Sequence, residues 1–147
     1  MGELRVRAGE AGLAVGFRWV LPGDAAGSPV WAAELAGLTA TGLGPDLVED
    51  VRMVVGALVS NACRHSRSGL AGGLVTVSAT VTPETMEVTV LDQGSEDVVG
   101  PRLGDEGQLG LIICSALGDL SVSGDAVSGW RVRVTLPGAW RAERAAR

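Results

Sequence analysis

Residues 51–66 read VRMVVGALVSNACRHS, and the rest of the chain is arranged around them. Over 46–65, Leu47, Val51, Val54, Val55, Leu58, Val59 and Ala62 recur at spacings of three and four, the pattern of a helix with one apolar stripe. Pro45 suits the first helical position, where its missing N–H costs no hydrogen bond. The loop SRSGLAGG closes the helix. Ala57, Asn61 and His65 share a helix face with Asp50 and Val54. An asparagine on a mostly apolar helix needs a partner for its amide, either the loop that follows or a bound ligand.

Two alternating segments follow. In LVTVSATV (74–81), Val75, Val77, Ala79 and Val81 fall on one face, and after the turn TPET the segment MEVTVLD (86–92) alternates again. The pair predicts a β-hairpin. Asp92 has the parity of Met86, Val88 and Val90, so its carboxylate lies on the apolar side at the strand end. Two partners suit it: the N–H of an Asx-type turn through Gly94, or the amino group of a nucleobase.

Further out, LAVGFRWVL (13–21) predicts the first strand, and PGDAAGSP breaks it. Ser28 as N-cap and Pro29 in the first turn predict a helix through VWAAELAGL. Residues 93–107 form a loop of glycine, proline and acids, and LGLIICSALG (109–118) predicts a short buried helix. The glycines of GQLGL (107–111) either let backbone N–H groups face an anion or give a flexible connection. LSVSG and WRVRVTLP are two more strands parted by a Gly-Asp turn, and AWRAERAAR is a short or frayed terminal helix. The expected fold is α+β, a two-layer sandwich with a mainly antiparallel sheet covered on one face by helices. It makes one domain over 1–147, its core about 14–137, with a flexible N-terminal arm and C-terminal tail.

Composition narrows the function classes. A chain of 147 residues, 46% hydrophobic, can bury a real core and is not disordered. The net charge of −5 argues against nucleic acid as the main partner and is compatible with a basic protein. Cys63 and Cys114 show no metal-ligand spacing and read as reduced, buried thiols. MGELRVRAGEAG lacks a signal peptide's apolar segment, and no apolar run reaches membrane-spanning length, so a cytoplasmic protein is expected.

A helix carrying Asn61, a hairpin ending in Asp-x-Gly, a variable loop and a glycine-opened helix, in that order, resemble the ATP-binding domain of the histidine-kinase-like (GHKL) ATPases. VRMVVGALVSNACRHS is similar to the anti-sigma-factor serine kinase branch. The resemblance spans about 14–137 and implies ATP with Mg²⁺ as cofactor. It makes Asn61 the magnesium ligand, Asp92 the acceptor for the adenine amino group, and Gly94 its companion. It makes 95–106 a mobile lid and Gly107 and Gly110 the lid-closing glycines near the phosphates. Arg64 and His65 match residue types common in that branch, although a solvated helix end explains them as well.

Two departures qualify what the resemblance implies. Ala57 stands one helical turn before Asn61, where the family has its catalytic glutamate, and alanine cannot accept a proton. Asp50 shares the face, but eleven residues put it roughly 16 Å from Asn61 along the axis, beyond proton-transfer reach. In DQGSE, Glu96 replaces a second glycine, and Glu96, Asp97, Asp105 and Glu106 face one Arg102 in the lid segment. Either these acids close on a triphosphate and oppose its binding, or they face water, where screening makes them cheap.

The expectation is therefore an anti-sigma factor with weak or lost kinase activity, holding a sigma factor until a STAS-domain antagonist releases it. The alternatives are an active serine kinase phosphorylating that antagonist with Mg-ATP, or a regulator of the same fold with a non-sigma partner. Family members pair, which implies a homodimer.

Overall fold

The computed structural model describes residues 2–9, 12–40, 45–82, 84–95 and 109–137. Six strands form one sheet: β1 (Gly2–Gly9), β2 (Gly12–Pro22), β3 (Leu74–Val81), β4 (Thr85–Leu91), β5 (Asp119–Asp125) and β6 (Gly129–Pro137), in the spatial order β1-β2-β3-β4-β6-β5. Every neighbouring pair is antiparallel. Three α-helices, α1 (Ser28–Thr39), α2 (Pro45–His65) and α3 (Leu109–Leu117), pack on one face of the sheet. This is the α+β sandwich expected.

Alternation decides which face is covered. Val75, Val77 and Ala79 of β3, Met86, Val88 and Val90 of β4, and Val132, Val134 and Leu136 of β6 are buried toward the helices. Ser78, Thr89 and Arg133, cross-strand neighbours of opposite parity, form part of a polar outer face. The apolar stripe of α2 is buried as its spacing requires, from Leu47 to Ala62, and Leu111 and Cys114 of α3 close the layer. Each fully buried valine contributes on the order of 1.5–3 kcal/mol.

The structure differs from the sequence expectation in two places. The sheet begins earlier: residues 2–9, read as an arm, form β1, paired with β2 from Gly2↔Trp19 to Gly9↔Gly12. Ser28 is not the N-cap of α1; Gly27 is, and the Ser28 hydroxyl donates instead to the Pro22 carbonyl at 2.5 Å, fastening the helix entry to the end of β2. Trp19 stacks on Phe17 (centroids 6.0 Å apart, planes at 8°) and packs against the core, whereas Trp31 on α1 is 66% exposed. The tail after residue 137 and the lid segment 96–106 lie outside the described residues, as does Gly107.

Cys63 and Cys114 are free thiols, and Cys114 is fully buried, which pushes its thiol up to about 11. Among the described residues no helix is long and apolar enough to cross a membrane.

Candidate functional site

Asp92 follows β4 directly, in the row where Trp130 faces it on β6. The Asp92 N–H donates to the Trp130 carbonyl at 3.0 Å. The Asp92 Oδ1 accepts two backbone N–H groups, from Gly94 at 2.7 Å and Trp130 at 2.9 Å. Of the two sequence readings of Asp92, the turn is the one these hydrogen bonds make. Oδ1 closes an Asx turn, and Oδ2 has no partner among the described residues. Burial pushes this carboxyl above its ordinary value, and the two N–H donors oppose the rise.

A clasp of three segments fixes the carboxylate. Gly94 has φ +86, and a methyl group there would lie 2.1 Å from the Ala126 carbonyl oxygen in the β5–β6 turn. That same oxygen accepts from Arg67 Nη1 at 2.9 Å and from the Ser95 N–H at 3.2 Å. The Arg67 N–H, just after α2, donates to the Gly94 carbonyl at 2.7 Å. Ser68, fully buried, accepts the Gln93 N–H at 3.0 Å. Gly94 was read as a companion glycine for the nucleotide, yet its absent side chain is already required by the protein's own backbone. Arg67, Ser68 and Ala126 were not singled out from sequence, because their roles arise only where three distant loops meet.

On α2, Asn61 is half-buried, and its side chain has no partner among the described residues. The loop-binding role open to it on sequence grounds is thus not taken: the loop caps itself, with Ser66 Oγ accepting the Ser68 N–H at 3.1 Å. Ala57, one turn earlier, packs at the edge of the core. A methyl group on Gly110 would come within 3.1 Å of the Ala57 Cβ, so the α2–α3 crossing is close because both residues are small. Gly110 is thereby placed beside Ala57, on the turn before Asn61. Arg64 and His65 are both exposed. Arg64 lines a cavity of about 290 Å³ with Asp24, Ser60 and Cys63, beside the chain entering α1.

Among the described residues, the indole Nε1–H of Trp130 is buried without a hydrogen-bond partner. Leaving such a donor unmade costs about 1–3 kcal/mol, which native proteins tolerate mainly where a ligand, ion or water completes it. Among the described residues no cluster of His, Cys, Asp and Glu could hold a metal. The residues present are of the kind a nucleotide would use: a half-buried carboxylate at Asp92 could accept from an amino group, and the Asn61 amide could hold a phosphate-bound cation.

Comparison with known proteins shows the family and the fold. The profile of the histidine kinase-like ATPase domain matches residues 24–136. The chain superposes on the histidine kinase domain of the blue-light activated histidine kinase from Erythrobacter litoralis EL346 with a TM-score of 0.54 at 20% identity. The match covers 80% of this chain and 64% of that domain, a likeness that speaks to fold alone. No curated protein matches the chain. With most of its length matched by that profile, the protein belongs to the histidine kinase-like ATPase domain family.

Proposed function

We propose that the protein is an anti-sigma factor. It sequesters a sigma factor by occluding a basic surface, a STAS-domain antagonist releases it, and phosphoryl transfer is weak or lost. The observation that carries the second half is Ala57 closed against Gly110, on the turn before an unpartnered Asn61. In this reading Asn61 is left free to hold a cation, while Ala57 offers no proton acceptor. Similarity of residues 51–66 to the anti-sigma branch and the net charge of −5 support the partner assignment.

In this reading the chain binds ATP with Mg²⁺. Asp92 accepts from the adenine amino group, and Asn61 holds the magnesium. When bound, the nucleotide supplies a transferable phosphoryl group, and the chain's own residues only hold and orient it. Positioning without a base leaves a slow residual rate at most, since general base catalysis contributes on the order of 10²–10⁴-fold.

The first test is calorimetric titration of Mg-ATP into the protein, with Asn61→Ala and Asp92→Ala beside it. Binding that both variants lose supports the site. No heat at millimolar nucleotide would leave a protein-binding scaffold without a cofactor.

The second test is Ala57→Glu, assayed for phosphorylation of a STAS-domain protein. The expected gain is about 100-fold or more over wild type. A wild-type rate already equal to that of Ala57→Glu would show that the chain is an active kinase and overturn the proposal. For the partner, the chain is expected to hold a sigma factor encoded in the same genome and to exchange it for the unphosphorylated antagonist. A sigma complex that forms only with ATP turnover contradicts occlusion.

A further inference from the structure

α1 packs the wrong way round for a helix that serves only its own core. Its buried residues are small, Ser28, Ala32, Ala36 and Gly37. Its large apolar side chains point outward: Val30 is 67% exposed, Trp31 66% and Leu38 71%. A helix held by its own domain alone turns such residues inward. Val30, Glu34 and Leu38 follow at steps of four, and Trp31 lies seven before Leu38, so the exposed side chains form one stripe. The stripe borders a groove of about 540 Å³ between α1 and α2, with Val30 on one wall and Met53, 51% exposed, on the other. Small residues make its floor, where a methyl group on Gly56 would meet the Ala33 Cβ at 3.7 Å. Pro29 and Ser60 line both this groove and the cavity of about 290 Å³ that holds Arg64, so the two adjoin.

Charge selects what covers this face. Residues 28–60 contain four acids, Glu34, Asp46, Glu49 and Asp50, and one cation, Arg52. Arg52 pairs with Glu34 across the groove and with Glu49 on its own helix. Asp46 and Asp50 have no ion pair among the described residues. Two copies of the chain meeting here would set acid against acid, which is costly. A partner with lysine or arginine beside an apolar stripe meets both features, since it buries Trp31 and neutralises the surplus acids. A groove between two helices takes a helix, seated by apolar side chains at spacings of three, four and seven. The 12 residues of α1 rise about 18 Å, room for about three turns of such a helix.

We infer that the outer face of α1, with the groove beside it, is the docking surface for the partner, and that it takes a basic amphipathic helix anchored on Trp31. The inference rests on the sigma-sequestering reading above and names the face that the sigma factor covers. This face and the nucleotide residues lie on different flanks of α2: Met53, Gly56 and Ser60 line the groove, whereas Ala57 meets α3 at Gly110.

The test measures calorimetric affinity for the sigma factor encoded in the same genome, beside melting temperature and mass by light scattering. Trp31→Ala is expected to weaken the complex about 30-fold or more, as loss of an interface anchor does. Its melting temperature stays at the wild-type value, because so exposed a side chain carries little stability. Glu49→Lys weakens the complex more at low salt than at high salt, since it replaces a charge attraction by a repulsion. Val127→Ala is the control: Val127 is 86% exposed in the β5–β6 turn, and its loss leaves affinity unchanged.

Equal losses from Trp31→Ala and Val127→Ala overturn the inference. So does a dimer that Trp31→Ala splits with sigma affinity unchanged, because a second copy then owns the face. If wild type holds the sigma factor and Trp31→Ala and Glu49→Lys hold it as tightly, only this inference falls. If wild type holds no sigma factor, the sequestering reading falls and the docking face with it.

Discussion

Gly94→Ala is expected to cost about 3 kcal/mol or more, lowering the melting temperature by about 10 °C in thermal denaturation. Two separate penalties add. The backbone at φ +86 disfavours any side chain, and the new methyl group would lie 2.1 Å from the Ala126 carbonyl. The strand end cannot retreat freely, because the Gly94 carbonyl is held by the Arg67 N–H at 2.7 Å and the Asp92 Oδ1 by the Gly94 N–H at 2.7 Å. Gly72→Ala is the control. Gly72 has a similar φ of +77 but open space around it, so only the conformational penalty of about 1 kcal/mol applies. Equal losses for the two variants would mean that the Ala126 contact carries no energy. Because the Gly94 clasp also aims Asp92, whatever folded Gly94→Ala remains should bind nucleotide poorly.

Asp92→Asn separates scaffold from recognition. The amide oxygen can still accept from the Gly94 and Trp130 N–H groups, so the turn survives. The other position changes from acceptor to donor, and the adenine amino group then meets another N–H. Loss of ATP affinity by roughly 100-fold is expected from a charge-assisted bond replaced by a clash of donors.

Stability should move the other way. Burial raises the folded carboxyl of Asp92 above its ordinary value, so the folded state binds the proton more tightly than the unfolded one. Wild-type stability from this group is greatest below the ordinary value and declines as pH rises to and through the raised one. Asp92→Asn carries no such loss. Its melting temperature should exceed wild type by a margin that grows across that window and is constant above it. ATP binding by wild type should weaken as pH falls through the same window, because a protonated Asp92 no longer offers a free carboxylate. Melting curves and titrations from about pH 4 to 8 would expose either trend. A margin that shrinks with rising pH would show that the carboxylate is stabilised, not strained, by its surroundings.

The α2 stripe and the β3–β4 hairpin were legible in the sequence because their signals are local. A spacing of three and four places Val51, Val54, Val55, Leu58 and Val59 on one side of any helix, and that side is fully or nearly fully buried. Strict alternation does the same for Val75, Val77 and Val88. The parity of Asp92 with Val90 followed from the same period of two, as did its closeness to Gly94. β1 was not read because Leu4 and Val6 are the only large apolar residues between Gly2 and Gly9. An edge strand of that kind is declared by backbone pairing with β2, which leaves little trace in composition. Ser28 looked like a cap for a sound local reason. The tertiary proximity of the Pro22 carbonyl offered its hydroxyl another acceptor.

By itself, then, the sequence determined which residues face the core, which helix carries Asn61, and that Ala57 cannot serve as a base. The tertiary structure alone decided who stands beside whom. The free edge of β4 is taken by β6, the last of the described strands, with β5 beyond it. That choice sets Trp130 opposite Asp92 and brings the Ala126 carbonyl onto Gly94. The packing of α3 on α2 seats Gly110 on Ala57. These pairings join residues more than thirty positions apart, as Asp92 and Trp130 are at 38. No periodicity encodes them, because they depend on which closure of the chain buries the most apolar surface while leaving the fewest backbone groups unpaired.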